Sequence, residues 1–169
     1  MKAVIFCVET NKQANTDWVY IKATLDKYYM AEQKNSHVRF DRIYMGSKNK
    51  YKSKQVVNEI TSWKRVYKDE LVVVYCIDTD NYESNPDHKK EFEEISLYCK
   101  DRGYELVWFC HDIEEVYWKR SVDNTAKKKE SIQFSKTKQI EKVDKKNLVC
   151  GNIRSGFSNI LCVLEEIIN

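Results

Sequence analysis

Leu71-Val72-Val73-Val74-Tyr75-Cys76-Ile77, followed at once by Asp78-Thr79-Asp80, is the stretch that decides the fold. An uninterrupted apolar run with three consecutive valines reads as a strand buried on both faces, the habit of a parallel sheet covered by helices on each side. In open α/β sheets the ligand crevice lies outside the carboxyl ends of the strands. Two carboxylates at the exit of such a strand therefore mark a candidate site. Residues i and i+2 of an extended segment project to one side, which lets Asp78 and Asp80 face a common ligand.

A second acid occupies the equivalent place earlier, where Glu9 follows the apolar run Ala3-Val4-Ile5-Phe6-Cys7-Val8. If the two strands are parallel neighbours, Glu9, Asp78 and Asp80 converge on one sheet edge. Their mutual repulsion would be relieved by Mg²⁺ or Mn²⁺, hard cations that prefer oxygen ligands. The competing reading is that Asp78 and Asp80 only cap a βα turn, a common duty of Asp.

Outward from this strand, the pattern alternates strand and helix, as in a doubly wound sheet. It predicts a mostly parallel four-stranded sheet in a three-layer, Rossmann-like α/β sandwich: strands over Ala3–Val8, Val38–Met45, Leu71–Ile77 and Tyr104–Cys110. Val38, Phe40, Arg42 and Tyr44 recur at every second position in a way that suggests an edge or half-exposed strand. Helices are expected over Thr16–Met30, Ser53–Tyr67 and Pro86–Arg102, the last with Pro86 in its first turn and Gly103 at its C-cap. A short helix follows over Asp112–Arg120, and an amphipathic helix over Phe157–Ile168 closes the chain.

At 169 residues, with one Pro and four Gly, the chain fits a single domain without long linkers. Cys7, Cys76 and Cys110 fall in or at the ends of apolar strands, and no pair of the six cysteines has CxxC spacing. They read as reduced core residues. The amino terminus opens directly on a strand, with no signal-peptide core and no apolar run near the roughly 18 residues of a membrane span. A soluble, cytoplasmic protein without membrane contact is expected.

The net charge of +3 is unevenly spread. Residues 119–147 are strongly basic; Lys119 to Lys146 hold ten Lys or Arg against four acids, and no sustained period runs through them. This segment reads as a loop or lid. Its Lys127, Lys128 and Lys129 would touch nucleic acid, and Lys136 or Lys138 would stand near the transition-state charge. A second basic stretch, Lys48, Lys50, Lys52 and Lys54, interleaves with Tyr44 and Tyr51 and would bind phosphates and stack bases. Both stretches also read as solvated charged surface.

The residues Glu9, Thr16-Asp17-Trp18-Val19-Tyr20, Asp78-Thr79-Asp80 and Ile113-Glu114-Glu115-Val116-Tyr117-Trp118 together resemble the Toprim domains of topoisomerases, primases and related nucleases, and most of all the RloB-like and OLD-family proteins of prokaryotic defence loci. The resemblance covers about residues 3 to 120. Thr10 and Asn81-Tyr82 depart from it, standing where such domains have glycine. It implies a metal-dependent nuclease of DNA or RNA acting against phage or mobile elements, beside a partner ATPase. In that scheme Glu9 is the general acid or base, and Asp78, Asp80 and Glu115 hold the metal. The alternative is a nucleic-acid or nucleotide-binding regulator that kept the scaffold and lost catalysis.

Glu115 also completes an Asp112-x-x-Glu115 capping box, which needs no catalysis. Alignment of Val116-Tyr117-Trp118 favours Glu115 over Glu114. His111 is a candidate proton shuttle or phosphate ligand, and a lone strand-end His is also a structural residue. His37 and His88 lack partners at metal-ligand spacing, so no zinc site is expected. No G-x-S-x-G, P-loop or G-x-G-x-x-G is present. Haloacid-dehalogenase phosphatases also use DxD, but on the first strand and followed by Thr or Val.

Overall fold

The computed structural model describes residues 1–30 and 38–168; His37 lies outside them. Its centre is a five-stranded sheet in the order β2-β1-β3-β4-β5, with β1 Lys2–Val8, β2 Val38–Tyr44, β3 Leu71–Asp78, β4 Glu105–Cys110 and β5 Phe157–Ser158. The first four pair in parallel, and β5 adds a two-residue antiparallel edge against Phe109 and Cys110. One strand more than the sequence predicted is therefore present. Phe157, expected to start the last helix, pairs with Cys110 instead, and α6 begins at Ile160.

The period of two along each buried strand divides the core into two layers. Val4, Phe6 and Val8 of β1 and Val74 and Cys76 of β3 face α1 (Thr16–Leu25), α4 (Ile113–Trp118), α5 (Lys127–Lys136) and α6 (Ile160–Ile168). Ile5 and Cys7, with Val73, Tyr75 and Ile77, face α2 (Lys54–Tyr67) and α3 (Pro86–Arg102). All residues from Ala3 to Val8 have no exposed surface. That explains why these strands read as continuous apolar runs rather than alternating ones. β2, at the sheet edge, is less buried: of its residues only Ile43 is fully buried, and Arg39 and Arg42 are exposed.

Caps fix the helix starts. Ser53 Oγ accepts from Val56 N at 3.4 Å, and Asn85 Oδ1 accepts from Asp87 N at 2.9 Å, with Pro86 in the first turn. Gly103, at φ 64°, ends α3 in the left-handed conformation that glycine adopts without strain. α1 is shorter than expected, giving way to a π-helical turn over Asp26–Met30.

The basic segment is the main departure from the sequence reading. It is no open loop: α5 and two short 3₁₀ turns, Gln139–Lys142 and Lys145–Leu148, lie on the α1 side of the sheet. Phe134 is the anchor. Its ring centroid lies 4.7 Å from Tyr20, 5.6 Å from Tyr117 and 5.6 Å from Trp118. Ile140, Val143 and Leu148 are buried behind it. These anchors recur at no regular spacing and stand among lysines, so a periodicity search passes over them.

Candidate acid cleft at the sheet switch point

The order β2-β1-β3-β4 reverses direction between β1 and β3, the topological switch point where open α/β sheets bind ligands. Glu9 and Asp78 leave those two strands side by side. The backbone N–H of Asp78 donates to Glu9 Oε1 at 2.9 Å, and Asp78 Oδ1 accepts from the N–H of Ile113 at 3.0 Å. A cleft of about 680 Å³ opens there, lined among others by Glu9, Asp17, Lys48, Asp78, Glu91 and Lys127.

Asp17 joins from the first turn of α1, where its Oδ2 accepts from Thr10 N at 3.1 Å. Burial raises the Glu9 carboxyl to about 8, with Asp17 and Asp80 adding to the rise and Lys48 opposing it. Burial and then Glu114 raise Asp17 to about 6. Burial, then Glu9 and Asp17, hold Asp78 well above the usual carboxylate range. These acids share one space with too little positive charge to keep them all ionised at low cost.

Two lysines supply what charge there is. Gly46, at φ 84°, turns the chain after β2 and brings Lys48 back over the strand ends. Lys48 Nζ donates to the Asp78 carbonyl at 3.0 Å, pairs with the Asp80 carboxylate, and lies 3.4 Å from Glu91. Burial would lower this ammonium, but Glu9 and Asp80 outweigh it and raise it. Lys127 Nζ reaches Glu114 Oε2 at 2.9 Å and Asp112 at 3.7 Å.

The expected metal trio of Asp78, Asp80 and Glu115 is not what the chain assembles here. Asp80 is taken up by Lys48. Glu115 turns from the cleft: its Oε2 lies 3.1 Å from His111 Nδ1, and its Oε1 accepts from Ser155 Oγ at 2.7 Å. Asp112 does cap α4, accepting from Glu115 N at 2.8 Å. Successive helical residues point about 100° apart, so one of Glu114 and Glu115 faces inward. It is Glu114, at 1% exposure, the residue the sequence alignment set aside.

The basic candidates also separate. Lys48 and Lys127 line the cleft. Lys136 ends α5, and Lys138 lies beyond it; nine residues from Lys127 at about 1.5 Å each put Lys136 roughly 14 Å along the helix. Lys50 lines a neighbouring cleft with Arg42 and Tyr44. Lys52, Lys54, Lys128 and Lys129 are exposed, Lys52 with its ammonium 5.4 Å from the Tyr51 ring centroid. Tyr51 itself is 7% exposed, packed on Tyr98, so it offers no face for a base.

Sequence reasoning quoted Asp17 only within the Thr16–Tyr20 motif and set Glu114 aside for Glu115, assigning neither a place in the site. Asp17 stands on the stripe Asp17, Tyr20, Ile21 and Thr24, all buried, so an acid within a core-facing stripe was the available signal.

The oxygen donors the cleft offers to Mg²⁺ or Mn²⁺ are Asp17 and Asp78, with Glu9 beside them, although their carboxylate oxygens are not gathered within 4.8 Å of one another. All are oxygen ligands, their carboxyls are raised by burial and crowding, and Thr10 Oγ1 beside them is buried with no hydrogen-bond partner. Among the described residues, one group of metal-ligating side chains has all its ligand atoms within 4.8 Å of one another: Glu83, Cys110 and His111. It lies outside the acid cleft.

No helix among the described residues is long and apolar enough to cross a membrane. The chain matches no family model, no curated protein and no solved structure.

Proposed function

We propose that this chain is a Mg²⁺- or Mn²⁺-dependent nuclease that hydrolyses phosphodiester bonds of DNA or RNA. The observation that carries the reading is Glu9 and Asp78 side by side at the switch point, with Asp17, Lys48 and Lys127 in the same cleft. Asp17 and Asp78 are the residues to hold the ion, which when bound supplies Lewis-acid polarisation of the phosphate. Glu9, whose carboxyl burial raises, is assigned the proton exchange with the attacking water as general acid or base. Lys48 and Lys127 face the phosphate and offset its charge.

The Toprim resemblance, within it the RloB-like and OLD-family group, supports the same chemistry. It extends the proposal to antiviral defence in the cytoplasm with a partner ATPase. One observation favours a second reading, a regulator that binds nucleic acid or nucleotide without cutting. Lys48 already places an ammonium between Asp80 and the Asp78 carbonyl, an internal cation beside the acids.

Incubation of the purified chain with plasmid, single-stranded DNA and tRNA, in Mg²⁺, Mn²⁺ or EDTA, separates the two. Metal-dependent cleavage lost in Asp78→Asn supports the nuclease. Binding without cleavage in every condition supports the regulator and removes the nuclease.

A further inference from the structure

One sheet gap away from the acid cleft, the ends of β3 and β4 carry a different donor set. Glu83 comes from the turn after β3, and Cys110 and His111 from the exit of β4. Glu83 Oε1 lies 3.6 Å from Cys110 Sγ, and Glu83 Oε2 lies 3.1 Å from His111 Nε2. A thiol, an imidazole and a carboxylate are thereby gathered around one point.

We propose that Glu83, Cys110 and His111 form a transition-metal site suited to Zn²⁺, separate from the acid cleft and with a fourth position open to water. Zn²⁺ binds Cys at about 2.3 Å and His or carboxylate at about 2.0–2.2 Å, so ligand atoms on a tetrahedron stand about 3.3–3.7 Å apart. All three ligand atoms lie within 4.8 Å of one another, close enough for side-chain adjustment to reach that spacing. A thiolate in the set selects against Mg²⁺ and Ca²⁺, which take oxygen donors. The charges balance: thiolate and carboxylate together neutralise the dication, while the thiol proton and any proton shared between His111 and Glu83 leave to solvent.

The surroundings are those of a built site. His111 Nδ1 faces Glu115 Oε2 at 3.1 Å, the carboxylate-histidine arrangement that fixes the tautomer leaving Nε2 free to ligate. Ser155 in turn holds the other oxygen of Glu115 at 2.7 Å. The Glu83 turn is tied down as well, because Asp80 N donates to the His111 carbonyl at 2.9 Å and Asn81 N to His88 Nδ1 at 3.2 Å. Cys110 is buried, whereas the His111 and Glu83 side chains are 34% and 48% exposed, so the open position faces solvent. Glu115 acts as a positioning residue.

The test is titration of the metal-free full chain with Co²⁺, reading the near-ultraviolet thiolate-to-cobalt absorption, and with Zn²⁺ by calorimetry. One equivalent of Co²⁺ should carry the thiolate band, and any further Co²⁺ or Zn²⁺ taken up by the carboxylate cleft adds no such band. Cys110→Ala should abolish the absorption, Glu83→Gln and His111→Asn should weaken Zn²⁺ binding by at least about 10-fold, and Glu115→Gln should weaken it about 10- to 100-fold with the absorption retained. Glu83 is half exposed, so its variant tests the proposal even if Cys110→Ala does not fold. Asp78→Asn and Cys150→Ser should leave the thiolate-to-cobalt absorption unchanged. Absence of the absorption, its survival in Cys110→Ala, its loss in Cys150→Ser or Asp78→Asn, or unchanged Zn²⁺ affinity in Glu83→Gln would each overturn the proposal.

Discussion

The backbone N–H of Asp78 donates to Glu9 Oε1 at 2.9 Å, tying the exits of the adjacent strands β1 and β3 together. A carboxylate usually gains from such a bond, yet burial and neighbouring acids leave Glu9 raised overall. Geometry and charge thus pull in opposite directions at one residue, and the consequences are measurable.

The metal-free protein should lose stability as pH rises. A carboxyl raised on folding binds its proton more tightly folded than unfolded, so stability falls from the unfolded to the folded value and then levels. For Glu9 that window runs from 4.5 to about 8, and for Asp17 from 3.8 to about 6. Thermal melts across this range should slope downward. Glu9→Gln, which keeps the acceptor for Asp78 N–H, should flatten the upper part.

Asp78→Asn keeps an oxygen for Ile113 N–H and cannot ionise in the crowded cleft. The metal-free variant should be more stable by about 1 kcal/mol, a rise of about 2–4 °C in Tm for a chain of this size. Added Mg²⁺ should raise the Tm of the parent and not of the variant. Any nuclease activity should fall by about 100-fold or more in Glu9→Gln.

Lys48→Ala should destabilise the fold by about 2 kcal/mol, below the 3–5 kcal/mol of a fully buried pair because Asp80 is 44% exposed. The loss should be greater at pH 8 than at pH 5, where protonated acids no longer need the ammonium. Urea denaturation at the two pH values measures the difference.

Phe134→Ala should cost about 3 kcal/mol and free α5, since the ring fills the space between Tyr20, Tyr117 and Trp118. Trypsin should leave the four lysines of α5 largely uncut in the parent and cleave there quickly in the variant. Rapid cleavage of the parent would restore the picture of an open lid.

If nucleic acid lies across the cleft, Lys129→Ala should lower the slope of log affinity against log salt by about one without changing preference among sequences. Filter binding at several salt concentrations reads this directly.

Much of the architecture is legible along the chain because it is set by local periodicity. Leu71–Ile77 and Ala3–Val8 announce buried strands, Pro86 and Gly103 bracket α3, and Ser53 opens α2, each through interactions within a few residues. The pairing of Glu9 with the end of β3 also follows once those strands are taken as parallel neighbours. Only the tertiary structure decides the rest: the turn of Glu115 to His111 and Ser155, the inward place of Glu114 beside Lys127, the entry of Asp17, and the folding of the lysine-rich segment onto Phe134. Each depends on the rotation of a helix about its axis or on contacts between residues tens of positions apart. Spacing along a chain fixes which residues share a face; packing fixes what that face meets.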